Sequence, residues 1–215
     1  MKYLRKYIRQ ILLTEAAKTQ DLLPEYVSVL FKDFGQFQTF RFILLDEGGQ
    51  NDLSKHKGIE DNAGHPVWGK IVIQKTEEGD GFCENAYKVS QSFAASGWGP
   101  FLYDIAIEYA TQHGTGLMPD RFLVSDEARG VWDYYLNNRS DIQVHQLDNL
   151  QDSFNNGPED DCDQTVAELK PGSADAETLA DNQYWVKSAM SKRYTKDPTT
   201  INSLKAKGKW VEVER

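Results

Sequence analysis

The chain is poor in the residues that build covalent and metal-centred scaffolds. Its 215 residues include 2 cysteines, Cys83 and Cys162, and 4 histidines, His56, His65, His113 and His145. Two thiols this far apart do not make a disulfide framework, and a reducing compartment is the simpler reading. The histidines show no metal-ligand spacing, so neither a structural nor a catalytic metal is expected. No apolar run approaches eighteen residues, so no membrane span is expected. The apolar residues of segment 1–17 are interrupted by Lys2, Arg5, Lys6, Arg9 and Gln10, which is not a secretory pattern. Positive charge is also short. Lys and Arg number 24 against 33 Asp and Glu, a net charge of −9, so nucleic acid is not an expected partner of the whole molecule.

What is present suffices for a real core: 40% of residues are hydrophobic and 12% aromatic. The length fits one domain, or one domain with an appendage. Charge is distributed unevenly. The first ten residues carry Lys2, Arg5, Lys6 and Arg9 and no acid. Residues 148–168 carry Asp148, Asp152, Glu159, Asp160, Asp161, Asp163 and Glu168 and no base. Residues 187–215 are basic again, with Lys187, Lys192, Arg193, Lys196, Lys205, Lys207, Lys209 and Arg215. Such runs are ordinarily solvated faces, but the basic ends also suit the acidic segment or an acidic protein partner.

Periodicity predicts the elements. Leu4, Ile8, Ile11, Leu12 and Ala16 form one stripe of a helix over 2–19, to be packed on a sheet or docked on a partner. Tyr26 to Phe31 is open between helix and strand. Thr39–Leu45, Val67–Lys75 and Glu84–Phe93 read as strands, with a polar loop at 46–66 and a turn at 76–81. Arg121–Val124 and Asp141–His145 read as later strands, and Ser125 as the N-cap of a helix carrying Ala128, Val131, Trp132 and Tyr135 on one face. Beyond 146 the composition turns polar. A helix over 179–194, a short helix over 198–204 and an edge strand over 210–213 are expected. The division this implies is an α/β domain over 1–146, an acidic linker over 147–176 and a basic helical extension over 177–215.

One stretch organises the rest. A strand ending at Phe93 enters Ala94-Ala95-Ser96-Gly97-Trp98-Gly99-Pro100, and a helix follows with apolar residues at 101, 102, 105, 106 and 109. A strand, a tight glycine turn and a helix aim backbone N–H groups at one spot, which favours an anion such as a phosphate. Pro100 suits the first helical turn, where its missing N–H costs nothing. The same spacing also serves as a plain strand-to-helix turn.

The order of elements and the residues of 87–135 resemble the GNAT superfamily of N-acetyltransferases, over about residues 39–146. In that family an Arg/Gln-x-x-Gly-x-Gly/Ala turn holds the pyrophosphate of acetyl-CoA on its backbone amides; the matching run here is Ala94 to Gly99. The family's Asn-x-x-Ala-x-x-aromatic-Tyr helix, which packs near the pantetheine and often supplies a Tyr general acid, is matched by Ser125 to Trp132 followed by Asp133-Tyr134-Tyr135. The chain departs from the pattern in having Ala94 for Arg or Gln and Trp132 for the Tyr. The block from Met118 to Tyr135 also looks like proteins of tailed phages.

The resemblance implies an α/β fold with a GNAT-like mixed, mostly antiparallel sheet and helices on both faces. It implies an acyl-CoA-dependent N-acyltransferase acting on an amine of a protein or small molecule, in the cytoplasm of a bacterium or a phage-infected cell. Phe93, Ala94, Ala95, Gly97, Trp98, Gly99, Phe101, Ser125 and Trp132 are the residues it points to for the acetyl-CoA, with an anion cradle on the amides of Gly97, Trp98, Gly99 and Phe101. Tyr135 or Tyr134 would serve as general acid and Glu84 as base, with Ser92 nearby to polarise the thioester. Each has a plainer reading, the tyrosines as core and Glu84 as an exposed strand carboxylate. The alternative for the whole chain is a catalytically inactive GNAT-like structural or interaction protein that docks through its basic ends.

Overall fold

The computed structural model describes residues 17–44, 51–52, 60, 64, 67–76, 85–120, 124–147 and 187–213. They fall into two compact units. One takes residues up to 74, 89–109 and 198 onward; the other takes 75–88 and 110–197. The helix expected over 2–19 lies largely outside the described residues; Ala17 to Thr19 are not helical and lead into a 3-10 turn, Gln20–Leu22.

In the first unit, β1 (Val27–Asp33) and β2 (Phe37–Leu44) form an antiparallel hairpin from Val27↔Leu44 to Asp33↔Gln38. The ambiguous run Tyr26–Phe31 is thus strand from Val27 on, because pairing with β2 supplies its backbone hydrogen bonds. Gly35, at φ 82°, makes the hairpin turn. β2 also pairs antiparallel with β4 (Gly69–Lys75) and with the two-residue β3 (Asn51–Asp52). β5 (Tyr87–Ala94) neighbours β4, and β9 (Trp210–Val213) runs parallel to β1, giving the order β9-β1-β2-β4-β5.

Alternation along these strands turns Val29, Phe31, Phe40 and Phe42 to one face. There they meet α1 (Gly99–His113), whose Phe101, Leu102, Ile105, Ala106 and Tyr109 are buried as their spacing predicts. Phe31 packs on Phe40, Tyr109 and Trp210 with ring centroids 5.2, 5.0 and 5.6 Å away. The short α3 (Thr199–Ala206) begins on Pro198, which offers its first turn no side-chain acceptor. Glu108 of α1, 0% exposed, supplies one instead. Its Oε1 accepts from the N–H of Thr200 at 2.8 Å and from Thr199 Oγ1 at 3.2 Å, and its Oε2 accepts from the N–H of Ile201 at 2.7 Å.

The second unit holds the start of β5, β6 (Leu117–Met118), α2 (Asp126–Asn138), β7 (Gln143–Gln146) and β8 (Lys192–Thr195). β6 is parallel to β5 through Tyr87↔Leu117 and Lys88↔Met118, and antiparallel to β8 through Leu117↔Tyr194; β7 and β8 are antiparallel. Ser125 caps α2 as expected, its Oγ accepting from the N–H of Ala128 at 3.3 Å.

Two expectations are corrected here. A strand after α1 is Leu117–Met118; of the expected strand Arg121–Val124, Val124 is outside any strand and residues 121–123 lie outside the described set. The reason is Gly116, whose φ of 127° and lack of a Cβ let the chain pass against the Tyr194 carbonyl, 2.7 Å from where a Cβ would stand. Residues 192–194 are strand and not helix, because pairing with β7 and β6 outweighs a weak helical period. The region from 177 is accordingly no separate extension where it is described: residues 187–197 belong to the second unit and 198–213 to the first.

The described chain is therefore α/β, with a mixed and mostly antiparallel set of strand pairings. No described helix is long and apolar enough to cross a membrane.

Candidate functional site

The end of β5, the glycine turn and the start of α1 form a continuous surface of the first unit. β6 reaches only Tyr87 and Lys88, so Val89–Ala94 run on beyond it. Ser90, Gln91, Ser92 and Phe93 are exposed. The chain then folds back. Ala95 donates its N–H to the Trp68 carbonyl at 2.9 Å, Trp98 donates to the Ala95 carbonyl at 3.0 Å, and the Gly97 carbonyl accepts from Lys18 at 3.0 Å. Gly97 sits at φ 83°, a conformation that favours glycine. The first helical bond runs from Leu102 N–H to the Trp98 carbonyl at 3.2 Å.

This bonding decides which amides are available. The Trp98 N–H is spent in the turn, so the expected cradle of four amides is reduced to three. The N–H groups of Gly97, Gly99 and Phe101 have no acceptor among the described residues. Among the described residues, Gly99 has no heavy atom of another element within 4 Å of where a Cβ would stand. The first turn of α1 carries no acidic residue to offset the positive end of the helix dipole. The three amides therefore suit an anion.

The side chains of the turn do something else. Trp98 is 0% exposed and packs edge-on against Phe42 at 5.3 Å, while Phe101 stacks on Phe42 at 5.7 Å. Ala95 is buried as well. Trp98, Phe101 and Ala95 thus bind the turn to the core and offer a ligand backbone only. Phe93 keeps its ring outside, 41% exposed, with its centroid 6.0 Å from that of Trp68.

Ser92 and Tyr103 form the polar pair of this surface, Oγ to Oη 3.0 Å. Burial pushes the Tyr103 phenol above its ordinary pKa, so it stays protonated through the working range. Tyr103 was missed in the sequence, where it reads as a flank of the apolar stripe. The available signal was its position one helical turn after Gly99.

The residues expected to supply the acid lie in the second unit and are core. Trp132, Tyr134 and Tyr135 are buried, and Tyr135 is fully so. Trp132 stacks on Tyr194 at 4.9 Å, Tyr135 lies 6.4 Å from Tyr194, and the Arg139 guanidinium sits 5.2 Å over the Tyr135 ring. Buried aromatic packing is the reason the amphipathic face carries these phenols, with Tyr134 7% and Tyr135 0% exposed. Ser125 is committed to its cap, and Glu84 lies outside the described residues. No family model matches the chain, and no curated protein or solved structure is significantly similar to it.

Proposed function

We propose that the chain is a GNAT-like, acyl-CoA-dependent N-acyltransferase that acts on an amine of a small molecule or a protein in the cytoplasm of a bacterium or a phage-infected cell. The observation that carries this reading is the Gly97–Phe101 turn, with three free amides and an uncrowded Gly99 directly after the exposed end of β5. The amides of Gly97, Gly99 and Phe101 would hold the pyrophosphate, and the exposed edge of Val89–Ala94 suits the amide groups of a pantetheine arm, as a strand edge suits any extended amide chain. Acetyl-CoA, when bound, supplies an acyl thioester.

The chain's own part is positioning and polarisation. Tyr103, protonated by burial, fixes the Ser92 hydroxyl from the core side. Ser92 takes the place left by the buried tyrosines, as a hydroxyl donor toward the charge that develops during transfer. Glu84, just before β5, is kept as the base. A second reading is favoured by one specific observation, the burial of Tyr134 and Tyr135 together with Ala94 at the arginine position: a GNAT-like protein without catalysis that binds a protein partner.

Thiol release from acetyl-CoA over a panel of primary amines tests the proposal. Wild type releases thiol with at least one amine class, Ser92→Ala lowers kcat about tenfold or more with little change in KM, and Tyr135→Phe leaves the rate within a factor of two. No release with any amine would favour the second reading.

A further inference from the structure

Among the described strands, the sheet of the first unit ends on β9, which pairs with β1 alone. The parallel register decides which groups of β9 are spent. Val29 donates its N–H to the Lys209 carbonyl at 2.8 Å, and the pairs Val29↔Trp210, Leu30↔Val211 and Phe31↔Glu212 carry the ladder on through the main chain of Val211 and Val213. Trp210 and Glu212 therefore turn their N–H and C=O groups outward, where they have no partner among the described residues. Free edges of this kind are normally guarded by Pro or Lys within the strand. Trp210-Val211-Glu212-Val213 carries neither.

Charge of both signs adjoins that edge. Lys205 of α3 holds its Nζ 5.6 Å from the centroid of the Trp210 ring, and the Glu212 carboxylate accepts from Trp210 Nε1 at 3.4 Å. Lys205 and Glu212 are exposed, and neither makes an ion pair among the described residues. Joining two such edges requires that outward residues meet outward residues. For two copies of β9 running antiparallel about a two-fold axis, this sets Trp210 opposite Glu212 of the second copy, Glu212 opposite its Trp210, and Val211 on Val211 at the axis. Sliding by two residues sets Glu212 on Glu212, a like-charge pair, or runs Glu212 onto Gly208, beyond the strand. In the favoured register each carboxylate arrives beside the Trp210 ring that carries the other copy's Lys205.

We propose that β9 is a self-association edge whose partner is a second copy of this chain: the two Trp210–Val213 strands pair antiparallel into one continuous sheet, and Lys205 of each copy pairs with Glu212 of the other. Each Trp210–Glu212 pair exchanges both main-chain hydrogen bonds, which satisfies the outward groups of the edge. A contact built on four residues a side belongs to the small end of specific interfaces, so dissociation in the micromolar range is expected. The proposal does not rest on the acyltransferase reading.

The test is sedimentation equilibrium of the full chain from micromolar to millimolar concentration, with melting curves to confirm that each variant is folded. Wild type reaches twice the chain mass of 24.5 kDa and goes no further. Glu212→Pro removes only an outward N–H and weakens dimerisation about tenfold or more. Glu212→Lys and Lys205→Glu, both at exposed positions, each weaken it about tenfold or more, because a charge reversal is felt twice in a two-fold dimer. Lys205→Glu combined with Glu212→Lys returns the affinity to within about threefold of wild type, since opposite charges again meet across the axis. Glu212→Lys and the double variant carry the test if Glu212→Pro does not fold. A wild-type chain that stays monomeric throughout overturns the proposal, as would be found if a different protein occupied the edge. So does a dimer that Glu212→Lys leaves intact, a loss that the double variant does not restore, or growth of the mass beyond a dimer.

Discussion

Glu108 shows how far a single side chain can organise its surroundings. A fully buried carboxylate is costly unless its lone pairs are taken up, and here two backbone N–H groups and one hydroxyl at the start of α3 do so. Glu108 is a helix cap supplied from another helix, in place of the one Pro198 cannot provide. Glu108→Ala leaves the buried N–H groups of Thr200 and Ile201 without acceptors and should cost about 3 kcal/mol in chemical denaturation. Glu108→Gln should cost about 2, because one oxygen is replaced by a donor facing donors. A variant as stable as wild type would show that the cap is dispensable. None of this was legible in the sequence. Glu108 reads there as a polar residue on an apolar helix, since its partners come some ninety residues later. The same holds for Tyr103, whose meaning depends on Ser92 across the fold. Trp98 was read in the sequence for its backbone amide; the structure spends that amide on the Ala95 carbonyl and turns the ring inward onto Phe42.

At the scale of elements, long periodic segments were legible. β2, β4, β5, α1 and α2 stand where their periodicity places them, because each buries one regular face and periodicity is the imprint of that burial. The short elements were not legible. β6 has two residues and β8 four, and both owe their conformation to partner strands rather than to local preference. Gly116 is the residue that makes β6 begin where it does, and Gly116→Ala tests that directly. The added Cβ would stand 2.7 Å from the Tyr194 carbonyl in a backbone conformation unfavourable to alanine, so the variant should lose about 2 kcal/mol or more in chemical denaturation. An unchanged midpoint would mean that the β6–β8 approach has slack that the geometry does not show. The candidate site divides along the same line. Its glycine turn was found from the sequence because Gly-x-Gly between strand and helix is a local signal. The tyrosines expected as acids on α2 are buried, a difference the sequence does not carry because buried and exposed tyrosines on an amphipathic helix have the same spacing.

At the scale of the whole molecule, the chain is interleaved: the first unit draws on three separate stretches, including the last sixteen described residues. β9 on β1 and the Glu108 cap tie that final stretch to the first unit, which is why a basic run that looks like an appendage is part of a core. The acyl-CoA reading makes one demand on this molecule, an anion site where β5 gives way to α1. Calorimetry of CoA binding to wild type and to Gly99→Trp examines it most directly. Among the described residues, no heavy atom of another element lies within 4 Å of a Cβ at residue 99, so the substitution fills the cradle without disturbing the core. The account predicts saturable binding of CoA and acetyl-CoA to wild type and its loss in Gly99→Trp, with the melting temperature of the unliganded chain nearly unchanged. Wild type that binds neither, or a Gly99→Trp chain that binds both as well as wild type, would contradict it.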